Sequence, residues 1–191
     1  MAGTICWPED KAEKEHVTME WYLRIRTPNL VFSPLFWPIV YFFVLVSCNQ
    51  VSAWTGLVIN TPDGDMLTVR KSGGGQVKIR LYGIDCPEKG QPYANDARRF
   101  AAGMVLRKAV TVKELTRDRG GHTVALVFKG SRCLNEEIVK AGYAWIDRRR
   151  CQQRQPCSRW LRLEADARKK KKGLWKGNSP EPPWEWRNSR K

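Results

Sequence analysis

QVKIRLYGIDCPEKGQPY, Gln76 to Tyr93, is the stretch on which the reading of the fold turns. Val77, Ile79 and Leu81 alternate with polar residues, the period-two pattern of a strand with one apolar face. An Arg, an Asp and a Glu (Arg80, Asp85 and Glu88) then gather around a proline. One reading is a strand, a turn and solvated charges. The other is a site in which acids hold a metal ion beside a phosphate gripped by the Arg. The rest of the chain decides between them.

Upstream, WTGLVIN is a strand, TPDGD carries the Asp63-Gly64 turn signal, and MLTVRK alternates and ends at a flexible SGGG. Downstream, ANDARRFAAGMVLRKA places Ala97, Phe100, Ala101 and Met104 or Val105 at helical spacing. VTVKEL and HTVALVF are strands, and LNEEIVKAG is a short helix stopped by Gly142. SRWLRLEADARKKKKGLW is a longer helix that runs to Gly173, and the Pro-rich NSPEPPWEWRNSRK is expected to be extended. This order predicts an α+β fold: a five-stranded Greek-key barrel of the OB type with about three α-helices.

Residues 1–53 hold four bases and five acids, which leaves 30 bases and 14 acids from Trp54 onward, a net +16. Such an excess favours a polyanionic partner and is silent on fold. It also makes each acid among so many bases informative.

The front of the chain reads as a targeting segment. Leu30–Val46, LVFSPLFWPIVYFFVLV, is apolar apart from Ser33 and the prolines, and at about 1.5 Å per residue it just spans a bilayer as a helix. Val51, Ser52 and Ala53 fit a signal-peptidase site, with cleavage after Ala53. LVSC, Leu45 to Cys48, resembles a lipoprotein box, and an uncleaved anchor is the third reading. Met19 opens a more ordinary cationic leader, with Arg24 and Arg26, than Met1 does. All three readings place residues 54–191 outside the cytoplasm, with a membrane involved only if the segment is retained. In an oxidising compartment Cys151 and Cys157, which bracket QQRQP, can close a small loop. Zinc is disfavoured: the cysteines are not in CxxC pairs and His16 and His122 are the only histidines.

Asp63 and Asp65 in DGD, Arg80, Asp85 and Glu88 in RLYGIDCPE, and the basic loop RDRGGH ending at His122 make one constellation. Hard oxygen donors without paired soft ones suit Ca²⁺ or Mg²⁺. An EF-hand is excluded, because DGD lacks the rest of that loop.

The order DGD, R-L-x-G-I-D-x-P-E, G-Q-P-Y, D-R-x-G, L-N-E-E-x-V-x-A-G and K-K-G-L-W resembles the staphylococcal-nuclease-like (thermonuclease) domain, over residues 54–175. Residues 176–191 form a basic tail outside it. The resemblance implies an OB-fold barrel that hydrolyses DNA and RNA with Ca²⁺, and the chain is expected to be a monomer. By position it implies Asp65 and Asp85 as the carboxylate ligands of Ca²⁺ and the Cys86 carbonyl as a third. Glu88 would be the general base, or would orient the attacking water. Arg80 would grip the phosphate, and Asp63 would sit just beyond the metal. Tyr93 would flank the bound nucleotide. The chemistry agrees: the metal is a Lewis acid, a carboxylate takes a proton from water, and a guanidinium matches two phosphate oxygens.

The chain departs from the family at Cys86 and Met66, where the family has Thr, and most clearly in one basic loop. Where the family has DRYGR, this sequence has DRGGH, so His122 stands for a second phosphate-binding Arg and is expected to take its catalytic place less efficiently. Arg117 and Arg119 are the other cations of that loop. A catalytically weakened nucleic-acid-binding OB-fold protein is therefore the alternative reading. A surface adhesion protein accounts for the charge but not for the carboxylates.

Overall fold

The computed structural model describes residues 52–190. The targeting segment, with Met19, Leu30–Val46 and Cys48, lies outside the described residues.

Strand β1 (Ala53–Asn60) pairs antiparallel with β2 (Met66–Lys71), and β2 with β3 (Gln76–Leu81). β1 also pairs with β5 (Ala109–Arg117), and β5 with β6 (Thr123–Lys129). A parallel pairing of β3 with β6, Ile79 opposite Thr123 and Leu81 opposite Ala125, closes the circle. The result is a five-stranded barrel of OB topology, as the strand order predicts. Two short pairs are added at its ends. β4 (Ile84–Asp85) pairs with β8 (Trp145–Ile146), and β7 (Arg132–Cys133) extends β6.

The alternation at Val77, Ile79 and Leu81 resolves as expected, with Ile79 and Leu81 in the core and Val77 half-buried at the strand's start. β6 is buried from Thr123 through Phe128. It lies between β3 and β5 and is covered by α2 (Leu134–Lys140), so neither face meets water. Helix α1 (Ala94–Val105) turns Ala97, Ala101 and Val105 inward. Asn135 of α2 is fully buried. Its Oδ1 accepts from the Val127 N–H at 3.1 Å, and its Nδ2 donates to the Tyr82 and Ala125 carbonyls at 3.1 and 3.2 Å.

Helix α3 (Arg154–Lys169) ends before the expected Gly173, and a 3₁₀ turn (Gly173–Lys176) follows. The chain leaves the helix because it must reach Gly142. Leu174 N–H donates to the Gly142 carbonyl at 2.9 Å, and a Cβ on Gly142 would stand 2.5 Å from the Lys172 carbonyl oxygen. Both glycines also have positive φ, so only Gly fits this crossing. Cys151 and Cys157 are disulfide-bonded.

The tail corrects the expectation of extended chain. Pro183–Asn188 is a short helix, α4, so the described residues hold four α-helices rather than three. Prolines forbid a helix interior but suit its first position, where no N–H is needed; Pro182 caps the helix in extended geometry and Pro183 opens it. Pro183 is buried, and Trp184 packs against a cluster of Trp145, Ala167, Leu174 and Trp175.

Candidate active site

β2 and β3 pair with Met66 opposite Arg80. Asp65, just before β2, and Arg80, near the end of β3, are thus at the same rim of the barrel. The Leu81 N–H donates to the Asp65 carbonyl at 2.9 Å and fixes the approach. β4 continues from β3 and brings Asp85 to the same place. Gly64 makes room for the assembly. A Cβ there would lie 2.8 Å from Cys86 Sγ and 2.9 Å from Ala97 Cβ, so the DGD turn packs directly on the residue after Asp85.

Asp65 and Asp85 are buried, and one oxygen of each converges on Arg80 Nη2: Asp65 Oδ2 at 3.5 Å and Asp85 Oδ1 at 3.4 Å. Among the described residues, Asp65 Oδ2 and Arg80 Nε are buried polar atoms without a hydrogen-bond partner. Burial pushes Asp65 up to about 7; Arg80 pulls it down, and Asp85, Asp63 and Glu88 add to the rise. Burial, then Asp65 and Asp85, also drive the Cys86 thiol well above its ordinary range, so it stays protonated.

No group of three or more His, Cys, Asp or Glu side chains among the described residues is arranged to hold a metal. The donor set is the carboxylate pair. An unsatisfied, buried carboxylate oxygen beside a second buried carboxylate fits a hard divalent cation such as Ca²⁺, which takes oxygen ligands including backbone carbonyls.

Glu88 follows on the loop after Pro87. Its N–H donates to Gln91 Oε1 at 2.9 Å, and its carboxylate is ion-paired with Arg187 of α4. Arg187 also binds Asp85, Nη2 to Oδ2 at 2.7 Å and Nη1 to Oδ1 at 3.4 Å. Hydrogen bonds to Asp85 above all hold this guanidinium firmly charged. Sequence reasoning missed Arg187. It is 99 residues from Glu88 and 102 from Asp85, and it sits in a segment read as extended tail.

The remaining expected residues are placed as follows. Asp63 is half-buried near Asp65. Arg119 and Arg80 line one groove, of about 720 Å³, together with Arg117, Arg149 and Arg150. His122 is not among the residues lining it. Its Nδ1 is 3.0 Å from Asp118 Oδ2, and Asp118 Oδ1 accepts from the N–H groups of Gly120 and His122, both at 2.9 Å. Tyr93 is half-buried, caps α1 and packs against the tryptophan cluster under the tail.

Fold and site together define a class: a small OB-type barrel with carboxylates and guanidiniums clustered at one rim. The chain belongs to the staphylococcal nuclease family, whose model, described as "Staphylococcal nuclease homologue", matches residues 78–177. It is 32% identical over 153 residues to an "Uncharacterized endonuclease" of Haemophilus influenzae, covering 80% of this chain and 83% of that one. It is 37% identical to "Protein ParB" of Escherichia coli (71% and 81% covered) and 31% identical to a "Micrococcal nuclease" of Shigella flexneri (74% and 87%).

Proposed function

We propose that this protein is an exported, Ca²⁺-dependent phosphodiesterase that hydrolyses DNA and RNA. The observation that carries the reading is the convergence of the buried Asp65 and Asp85 on Arg80, with Glu88 beside them, in a chain of the nuclease family. Asp65, Asp85 and the Cys86 carbonyl would hold the cation, which when bound supplies Lewis acidity at a phosphoryl oxygen. Arg80, which lines the arginine groove, presents guanidinium donors to the phosphate and stabilises charge that develops on it. Glu88 takes a proton from water attacking in line, and the 5′ oxygen leaves, so that 3′-phosphate ends form. The arginine groove holds the rest of the strand by its phosphates, which DNA and RNA share.

Glu88→Gln is expected to lower turnover on plasmid DNA by ~10²–10⁴-fold, with DNA binding retained. Cleavage by the wild type is expected to stop in excess chelator and return with Ca²⁺. Undiminished cleavage by the variant or in chelator refutes this mechanism. The engagement of His122 with Asp118 favours one other reading, a weakened nucleic-acid binder. Tight binding with no cleavage under any cation would establish it. Export rests on the Leu30–Val46 run and VSA, and mass spectrometry of the mature N-terminus tests it.

A further inference from the structure

We propose that Arg187 is a positioning residue of this site: its guanidinium clamps the Glu88 carboxylate against Asp85 and so holds the base toward the attacking water. The inference rests on the hydrolase reading above.

Glu88 lies on a loop, with its side chain about one-third exposed (35%). The partner the structure gives its carboxylate is Arg187. Without that partner the side chain would be free to turn among rotamers. The helix that carries Arg187 is itself anchored at its start. Pro183 and Trp184 seat α4 on the domain, and Gln91 Nε2 donates to the Glu181 carbonyl just ahead of the helix at 2.6 Å. The same Gln91 amide accepts from the Glu88 N–H through Oε1. One buried glutamine therefore fixes the Glu88 loop and the tail to each other, and Arg187 repeats the link between side chains.

The contact falls mainly on one oxygen of Asp85. Arg187 binds chiefly Asp85 Oδ2, whereas the oxygen that converges with Asp65 is Oδ1. Arg187 makes no ion pair with Asp65 among the described residues. Arg187 therefore braces Asp85 mainly through Oδ2, with a longer contact to Oδ1, and does not reach across to Asp65. Arg187 lies outside the 78–177 family match.

The test uses the full chain and four variants, Glu88→Gln, Arg187→Ala, Arg187→Lys and the double variant Glu88→Gln/Arg187→Ala. Turnover and KM are measured on plasmid DNA with Ca²⁺, and cation affinity is measured separately by Tb³⁺ luminescence. Misplacing a reacting group by about 1 Å can cost ~10²-fold, so Arg187→Ala should lose about that much in kcat with KM changed less than about threefold. Arg187→Lys, which keeps the charge and loses the two-oxygen fork, should recover part of it. In the Glu88→Gln background the same Arg187→Ala change should cost less than about threefold, since a residue acting through Glu88 has nothing left to position.

Three results overturn the proposal: unchanged kcat in Arg187→Ala; an equal loss in both backgrounds; or a gain in kcat with tighter Tb³⁺ binding, which would make the tail a plug. If Arg187→Ala does not fold, Arg187→Lys decides, and turnover equal to wild type defeats the idea. A wild type inert on every nucleic acid removes the hydrolase reading and this inference with it. An active wild type with an indifferent Arg187→Ala removes this inference alone.

Discussion

Asp118 shows how one carboxylate shapes a loop. It accepts from two backbone N–H groups and faces the His122 ring. Burial pushes its carboxyl up, but the hydrogen bonds from His122 and Gly120 outweigh this and hold it below the ordinary value. A depressed carboxylate stabilises the fold above its unfolded value of about 3.9, and the benefit is lost as pH falls through the folded value. Asp118→Asn keeps an acceptor but not the charge. It is expected to cost ~1 kcal/mol at pH 6, and the penalty should shrink below about pH 4. Urea unfolding of both proteins at pH 6 and pH 3 measures this, and an equal penalty at both would show that the charge is irrelevant. The His122 substitution was legible as a departure from DRYGR, but its engagement with Asp118 was not. That contact depends on a loop bend which residue identity alone does not specify.

At the scale of elements, Asn135 links α2, β6 and the end of β3. Three buried backbone groups depend on its amide, and leaving a buried donor or acceptor unpaired costs ~1–3 kcal/mol. Asn135→Ala should therefore destabilise the protein by roughly 2–4 kcal/mol, seen as a lower urea midpoint with an unchanged slope; a loss below about 0.5 kcal/mol would show that the groups find other partners. The strands and α1 were readable because their signals are local: period-two apolar residues, and Ala97, Ala101 and Val105 one helical face apart. Helix α4 was not, because PEPP suggests extended chain and its stability comes from Pro183 and Trp184 docking on residues far away in sequence. The same locality explains the site. Asp65, Arg80, Asp85 and Glu88 lie within one hairpin and its exit, whereas Arg187 reaches them only through the tertiary fold. Gly64 was read as a turn former, but its place is set by contact with Cys86 and Ala97.

For the whole molecule, net charge becomes useful where it is placed. Arg117, Arg119, Arg149 and Arg150 line the groove that leads from Arg80 and turn the +16 of the chain beyond residue 53 into a track for phosphates. Each phosphate contact releases counterions, so log K for duplex DNA should fall linearly with log salt, and each lost contact should lower the slope by about 0.9. With Glu88→Gln as the non-cleaving background, Arg119→Ala and Arg149→Ala should each reduce the slope by that amount, alike on unrelated sequences. Fluorescence anisotropy over a salt series reads it. A loss confined to one base sequence would point to base contacts instead.

The parallel seam between β3 and β6 closes the barrel. The β1–β2–β3 meander and the β5–β6 pair can each form from near neighbours, but the seam joins residues 44 positions apart, such as Ile79 and Thr123. Bringing such distant segments together carries the larger loop-closure entropy, and non-local pairings of this kind slow folding. Arg80 lies in that seam, opposite Val124, and Asp85 follows directly after it. The β2–β3 hairpin brings Asp65 to Arg80, and the seam then holds the other edge of that strand against β6. Closing the barrel at this seam thus also fixes the strand that carries Arg80.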